Sequence, residues 1–255
     1  ALLAAVVAAG AATAAYRVRQ DPGAARVTPV LMPTRDGPFG IRLVQIPAAT
    51  IYVGSPPGED GRGLTEGRHA ARVAAFYVAT TEVTRGVYRR VMADGRPPPP
   101  AADDALPATG VTWDEAQEFC RRLSAADGGL TFRLPTEEEW EWAARAGDDG
   151  PFSGTRDLRS MGWFSGNAAG PRPVAGKSPN WWGIHDMHGN AREWTATLQE
   201  GSDRMPGELQ LRVVRGGGFR SPERACRAAA REFEVPSTIA DDLGFRVAAD
   251  VPPQR

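Results

Sequence analysis

The residues of this chain with the types to do chemistry are two cysteines, two closely spaced histidines and the acids around them. Cys226 stands among Arg224, Arg227 and Arg231. Guanidinium groups beside a thiol favour the thiolate, the form that attacks carbonyls and binds soft metals. Arginines next to a buried strand more often pair with acids, so the same cluster also fits a structural thiol. His185 and His188 are three residues apart, a spacing that on one helix face could hold a transition metal. Gly189-Asn190 directly after them marks a turn, and no third ligand follows, which favours structural histidines. Gly216-Gly217-Gly218 is a tight turn without the helix and lysine of a phosphate-binding loop. No Gly-x-Ser-x-Gly occurs, so no nucleophile elbow is supported. Trp181-Trp182 could line a sugar or peptide groove, although beside Pro179 the pair also fits core and lid.

Composition narrows the classes. Thirty basic and 31 acidic side chains leave a formal net charge of −1, and no basic tract stands out. Nucleic-acid binding therefore has no electrostatic support. Seven Trp and nine Phe supply bulk for a core, while 29 Gly and 22 Pro imply many turns and little long regular structure. Residues 1–16, ALLAAVVAAGAATAAY, are apolar and uncharged. They read as the hydrophobic region of a signal peptide, with a membrane anchor as the rival. Either exports the domain, so the expected location is periplasmic or otherwise extracytoplasmic, and a retained anchor would tether the N-terminus. In an oxidising compartment an even cysteine count favours one bridge, Cys120–Cys226. The alternative is two separate buried thiols acting as small hydrophobes.

The elements that must position these groups are short. Residues 17–40 are polar and punctuated by Gly and Pro, as in a linker. Ile41–Gly54 reads as two strands and Val73–Val83 as another strand pair. Thr84 can cap a helix to Met92, and a second helix spans Trp113–Ser124 with Cys120 on it. Pro97–Pro100 is a stiff spacer. Phe132–Gly147, FRLPTEEEWEWAARAG, is the clearest segment: a strand, then a helix capped by Thr136 with Glu139 closing a capping box. Glu137, Glu138 and Glu139 fill the first turn, where the helix dipole favours negative charge. Trp140, Ala143 and Ala144 share a face, Trp142 points elsewhere, and Gly147 stops the helix. Gly147–Asn180 is a long loop of the kind that usually carries function. Leu211–Val214 and Phe245–Ala248 close the chain as strands. Strands and a few short helices separated by long loops argue for an α+β class.

The same segments occur in an order that resembles the sulfatase-modifying-factor, or formylglycine-generating-enzyme, family. Val83-Thr84 through Tyr88 is similar to its "EVTNxxY" element, and Val111–Ala116 with Phe119-Cys120 to the helix before its "RLPTE" strand. Met187–Trp194 is similar to "GNVWEW", Arg215–Phe219 to "RGGSW" and Gly244–Arg246 to the closing "GFR". The resemblance spans residues 42–248 and implies one loop-rich domain over 41–250, with a fold related to C-type lectins. It also implies a calcium site. Asp186 and Glu193 would give side-chain oxygens, Gly189 and Ala191 main-chain oxygens, the hard donors that calcium takes. Asn167 matches one ligand of the family's other calcium site. The oxidases of the family bind copper(I) through two cysteines five residues apart after a "GGS" turn. Here Ser221 takes the first cysteine position and Cys226 the second, Gly218 replaces the serine, and Arg192 replaces a tryptophan. A hydroxyl is a poor copper(I) ligand, so copper is not expected. In a second alignment, Cys226–Arg231 resembles the "CRSAYR" of other relatives, where the cysteine would be structural.

The resemblance then implies an exported, calcium-binding accessory or regulatory domain that acts on a protein or peptide partner. Siderophore maturation and secretion-linked kinase signalling are roles of such relatives. Arg192, Arg220, Ser221 and Arg224 would form a groove for an acidic ligand. The competing readings are an oxidoreductase with a divergent pocket, using Cys226, and a lectin-like sugar binder. The family's iron-dependent branch needs a histidine-rich domain for which three histidines leave no room.

Overall fold

The computed structural model describes residues 32–95, 99–154 and 156–252. The apolar segment 1–16, the linker as far as residue 31, and Pro97 and Pro98 of the proline run lie outside the described residues. Among the described residues no helix is long and apolar enough to cross a membrane.

The strands are β1 (Thr34–Asp36), β2 (Arg42–Ile46), β3 (Ala49–Val53), β4 (His69–Val73) and β5 (Phe76–Ala79). Helices α1 (Arg85–Met92) and α2 (Trp113–Asp127) precede β6 (Phe132–Arg133). Then come α3 (Glu137–Arg145), α4 (Leu158–Met161), β7 (Arg192–Leu198), β8 (Arg212–Arg215), β9 (Glu232–Glu234), β10 (Leu243–Gly244) and β11 (Ala248–Asp250). One sheet runs β1-β2-β5-β11-β6, with the last strand inserted between β5 and β6. A second runs β10-β7-β8-β9, and β3-β4 forms a separate hairpin. The result is a single α+β domain rich in loops. Insertion of the final strand beside β5 ties the ends of the domain together, so the site-bearing loops hang from a closed frame.

Local signals place the helices where the sequence puts them. Thr84 accepts a hydrogen bond from the Val87 amide, and Thr112 and Thr136 each complete a capping box, with Glu115 and Glu139. Ala146 and Gly147 both turn left-handed after α3. Two larger cores flank the central sheet. One packs α1 and α2 through Phe119, which stacks on Tyr88 and meets Phe245 edge-on. The other gathers Trp140, Trp142 and Trp182 on β2, β3 and β5.

Three boundaries differ from the sequence reading, and the elements it did not anticipate include β7, and α4 inside the stretch 147–180 read as one long loop. Thr34–Asp36 pairs with Val44–Arg42, so the domain begins inside the stretch read as linker. The pair read at Val73–Val83 begins earlier, at His69, because β4 pairs back onto β3. The closing segment is split into β10 and β11, with Arg246 between them carrying a fully buried side chain. Strand β7 had no periodic signal: Glu193, Trp194 and Thr195 are consecutive and all buried, which abolishes the alternation expected of a half-exposed strand.

Candidate functional site

The segment joining Trp182 to β7 carries the left-handed residues Asp186 (φ 58°), Gly189 (φ 121°) and Asn190 (φ 69°). Asp and Asn tolerate this region better than other side chains. At Gly189 the requirement is also spatial, because a Cβ there would lie 2.3 Å from the Trp163 carbonyl oxygen. Asn190, fully buried, joins four segments. Its amide donates to Trp163 O (2.7 Å), its Oδ1 accepts from the Arg172 amide (2.9 Å), and its Nδ2 donates to Glu82 Oε2 (2.7 Å). Its carbonyl accepts from the Phe219 amide (2.9 Å).

Below this turn sits a buried charge cluster. Arg246 grips Glu193 with two hydrogen bonds of 2.7 Å, and Trp140 Nε1 donates to the same carboxylate at 2.6 Å. Both members of the pair are fully buried. Glu82 accepts from the Ala191 amide at 2.8 Å, and Asp186 Oδ2 accepts from the Ala175 amide at 2.7 Å. Burial and the neighbouring Asp186 and Glu193 charges push the Glu82 carboxyl well above the usual range, and burial also raises Asp186. Three carboxylates thus face one guanidinium. Asp186 Oδ1 is buried with no hydrogen-bond partner, an open position for a cation. Among the described residues no three His, Cys, Asp or Glu side chains converge as a metal cluster. A hard cation here would draw on Asp186 Oδ1 and main-chain oxygens, and the donor chemistry fits calcium. The sequence reading singled out Asp186, Gly189, Ala191 and Glu193 and missed Glu82 and Arg246. Both missed residues are charged positions at or beside motif blocks built largely from apolar residues, which was the available signal.

The second part of the site is the turn Gly216–Cys226. Ser221 Oγ accepts from the Gly218 amide at 3.0 Å, and the Ser221 amide donates back to Gly218 O at 2.9 Å. The hydroxyl is spent on holding its own turn. Cys226 is fully buried, its thiol 3.7 Å from Pro222 O, and burial pushes it up to about 12. Arg227 is bound to Glu59 and Glu66, and Arg231 to Glu137. Arg227 and Arg231 therefore serve other carboxylates, Arg224 is exposed at the surface, and an activated thiolate is not what this environment makes.

The expected Cys120–Cys226 bridge is absent. Both cysteines are free and buried in different clusters, Cys120 on α2 in the Phe119 core and Cys226 with Phe152, Leu158 and Phe164. Each acts as a small hydrophobe. Midpoints of thermal unfolding are expected to be the same with and without dithiothreitol, and a reductant-dependent drop would contradict free thiols.

The acidic-ligand groove also needs correction. Arg192 donates to Glu232 (3.0 Å), Glu234 (2.8 Å) and Asp242 (3.0 Å), so its guanidinium is committed to the protein's own acids. Arg220 is exposed and pairs with Asp241, while Arg224 is exposed at the surface. The segment around residues 232–242 supplies these acids, and no sequence spacing linked it to Arg192.

The remaining candidates are structural. His185 Nδ1 lies 3.0 Å from Lys177 O. His188 is buried, with Nδ1 2.9 Å from Cys226 O and Nε2 accepting from the Ser153 amide at 3.3 Å. Burial holds its pKa down to about 4. Trp182 packs edge-on against Trp142 at 4.7 Å in the core, which removes it from any sugar groove. Asn167 caps its own turn, accepting from the Phe164 amide and donating to Gly162 O.

The sequence matches the family model for the sulfatase-modifying factor enzyme 1-like domain over residues 40–251. The chain belongs to this family. Its relatives include the inactive C-alpha-formylglycine-generating enzyme 2 of Bos taurus, 33% identical over 163 residues, covering 56% of this chain and 50% of that protein. The formylglycine-generating enzyme of Bos taurus is 30% identical over 171 residues, covering 56% and 44%. The chain thus spans about half the length of the curated relatives it matches. Among solved structures it is similar to PvdO from Pseudomonas aeruginosa. The TM-score is 0.74 and the identity 26%, covering 87% of this chain and 99% of that one. Within this sulfatase-modifying-factor-like domain the scaffold motifs and their packing are kept, while the turn that would carry thiol chemistry is closed and hydrogen-bonded to itself.

Proposed function

We propose that this domain is a calcium-binding accessory or regulatory member of the formylglycine-generating-enzyme-like family that recognises a protein or peptide partner outside the cytoplasm, in an envelope signalling, secretion or maturation pathway. The observation that carries this reading is the Gly218–Ser221–Cys226 arrangement. Its single thiol is buried and raised to about 12, and its hydroxyl is committed to the Gly218 amide. Copper(I) needs soft thiolate ligands, and one protonated, enclosed thiol supplies none. Similarity alone does not choose between roles, since relatives named as active and as inactive match at comparable identity. Export rests on the apolar residues 1–16.

Calcium would be held by Asp186 Oδ1 and main-chain oxygens of Gly189 and Ala191, with the Glu193 carboxylate beside it already gripped by Arg246 and Trp140. Bound there, it would neutralise the excess carboxylate charge. The chain's own contribution is the left-handed turn that aims these oxygens and the Asn190 hydrogen bonds that fix it.

Two experiments test the reading. Incubated with copper(I), oxygen and a Cys-x-Pro-x-Arg peptide, the protein is expected to consume no oxygen and leave the peptide mass unchanged. Conversion of the peptide thiol to an aldehyde would establish an oxidase instead. Calcium at about 100 times its Kd is expected to stabilise the wild type by about 2.7 kcal/mol in urea unfolding, against a chelator-treated sample. Asp186→Ala should abolish that gain. Equal calcium responses in the two proteins would place the ion elsewhere.

A further inference from the structure

The charge of this chain is unevenly placed. Residues 150–185 hold four basic side chains, Arg156, Arg159, Arg172 and Lys177, against one acid, Asp157, although the whole chain is near neutral. Arg156 is bound to Asp148. Arg172 and Lys177 have no carboxylate partner within ion-pair distance among the described residues, and both converge on one indole. Lys177 Nζ lies 4.1 Å from the Trp163 ring centroid and Arg172 Cζ lies 5.6 Å from it. Lys177 also donates to Arg159 O at 2.6 Å. Arg159 in turn lies over the Phe164 ring at 5.8 Å.

Two cations on one ring repel each other, and among the described residues no carboxylate lies within ion-pair distance of either. Two arginines elsewhere show the opposite arrangement: Arg192 has three carboxylates and Arg227 two. The frame beneath this patch is hydrogen-bonded to the neighbouring turns. The Trp163 carbonyl and the Arg172 amide are both fixed by Asn190, and the Ser165 amide donates to Ser221 O at 3.1 Å. The basic wall therefore borders the Ser221 turn and is held in register with it.

We propose that the Trp163–Arg172–Lys177 wall is the docking surface for an acidic segment, rich in Asp and Glu, of the partner protein. The two cations, oriented by the Trp163 face, suit carboxylate side chains on an extended peptide, and Arg159 extends the same wall. The proposal rests on the partner-binding reading and moves its acidic-ligand surface from Arg192 to this loop.

Lys177 is the only lysine of the chain, which makes the surface directly addressable. A Glu-rich peptide and its Gln analogue are titrated against the full chain at low and moderate salt. The Glu peptide is expected to bind with an affinity that falls as salt rises, and the Gln peptide to bind at least about tenfold more weakly. Arg172→Glu/Lys177→Glu should weaken the Glu peptide by about tenfold or more while unfolding at the wild-type temperature. Arg42→Glu, at the exposed first position of β2, should leave binding unchanged. Carbodiimide treatment of the complex should yield an amide between Lys177 and a peptide glutamate. Absence of Glu-peptide binding, or equal binding by the Arg172→Glu/Lys177→Glu protein, would overturn the surface assignment. That result with an unoxidised Cys-x-Pro-x-Arg peptide leaves a binding role without this surface; oxidation of that peptide removes the role itself.

Discussion

Replacing Arg246 with methionine is expected to lower the stability of the domain by about 3–5 kcal/mol, read as a lower urea midpoint at an unchanged slope. Arg246 and Glu193 are both fully buried and joined by two 2.7 Å hydrogen bonds, with further guanidinium bonds to Ala79 O and His185 O. Methionine fills similar volume but leaves Glu193 buried without its counter-charge, in the company of Glu82 and Asp186. Repulsion among three carboxylates then adds to the lost pairing. The double substitution Arg246→Met/Glu193→Gln should recover a large part of the loss, because the penalty comes from the uncompensated charge rather than from missing attraction. Two single substitutions that simply add would refute direct coupling between the two residues.

The second large effect is a pH dependence carried by His188. Its native environment fixes a neutral ring: the Ser153 amide donates to Nε2, and Nδ1 donates to Cys226 O. Burial lowers its pKa from 6.5 to about 4. The folded form therefore binds its proton less readily than the unfolded chain. Above 6.5 the ring is neutral in both states and costs nothing. As pH falls from 6.5 towards 4 only the unfolded state gains the proton, so stability declines across that window. The loss amounts to roughly 3 kcal/mol at its lower end, and below it both states are protonated and the decline from this residue stops. His188→Asn keeps a donor for Cys226 O and cannot titrate. Urea unfolding at a series of pH values should show the wild type losing more stability than the variant over this range. Parallel profiles would mean that His188 does not set the acid sensitivity.

Both predictions concern residues that the sequence made visible without disclosing their roles. His188 was legible as structural because a glycine-asparagine turn follows it. Its partners were not, since Ser153 lies 35 and Cys226 38 positions away. Glu193 was legible as an oxygen donor, whereas the Arg246 that occupies it comes from the other end of the domain. Arg192 shows the reverse case. Beside Arg220 and Arg224 its charge looked free for a ligand, and the fold turned three acids onto it. The cysteines erred in the same way: an even count can state that a bridge is permitted, but only the fold can bring two side chains together.

What the chain determined by itself was local. Threonine caps, capping boxes and the turn glycines follow from side-chain and backbone preferences within a few residues, and they place α1, α2 and α3. The ordered motif blocks also determined the family, because each block is a local packing unit. Tertiary structure decided which charges are spent and which remain. Ion pairs such as Arg246–Glu193 and Arg227–Glu66 join residues 53 and 161 positions apart. Helical spacing encodes local pairs such as Glu118–Arg122, but pairing between distant segments acts through space and depends on burial, so no spacing along the chain encodes it. That Arg172 and Lys177 share one indole, with no carboxylate in ion-pair reach among the described residues, emerged only from the fold.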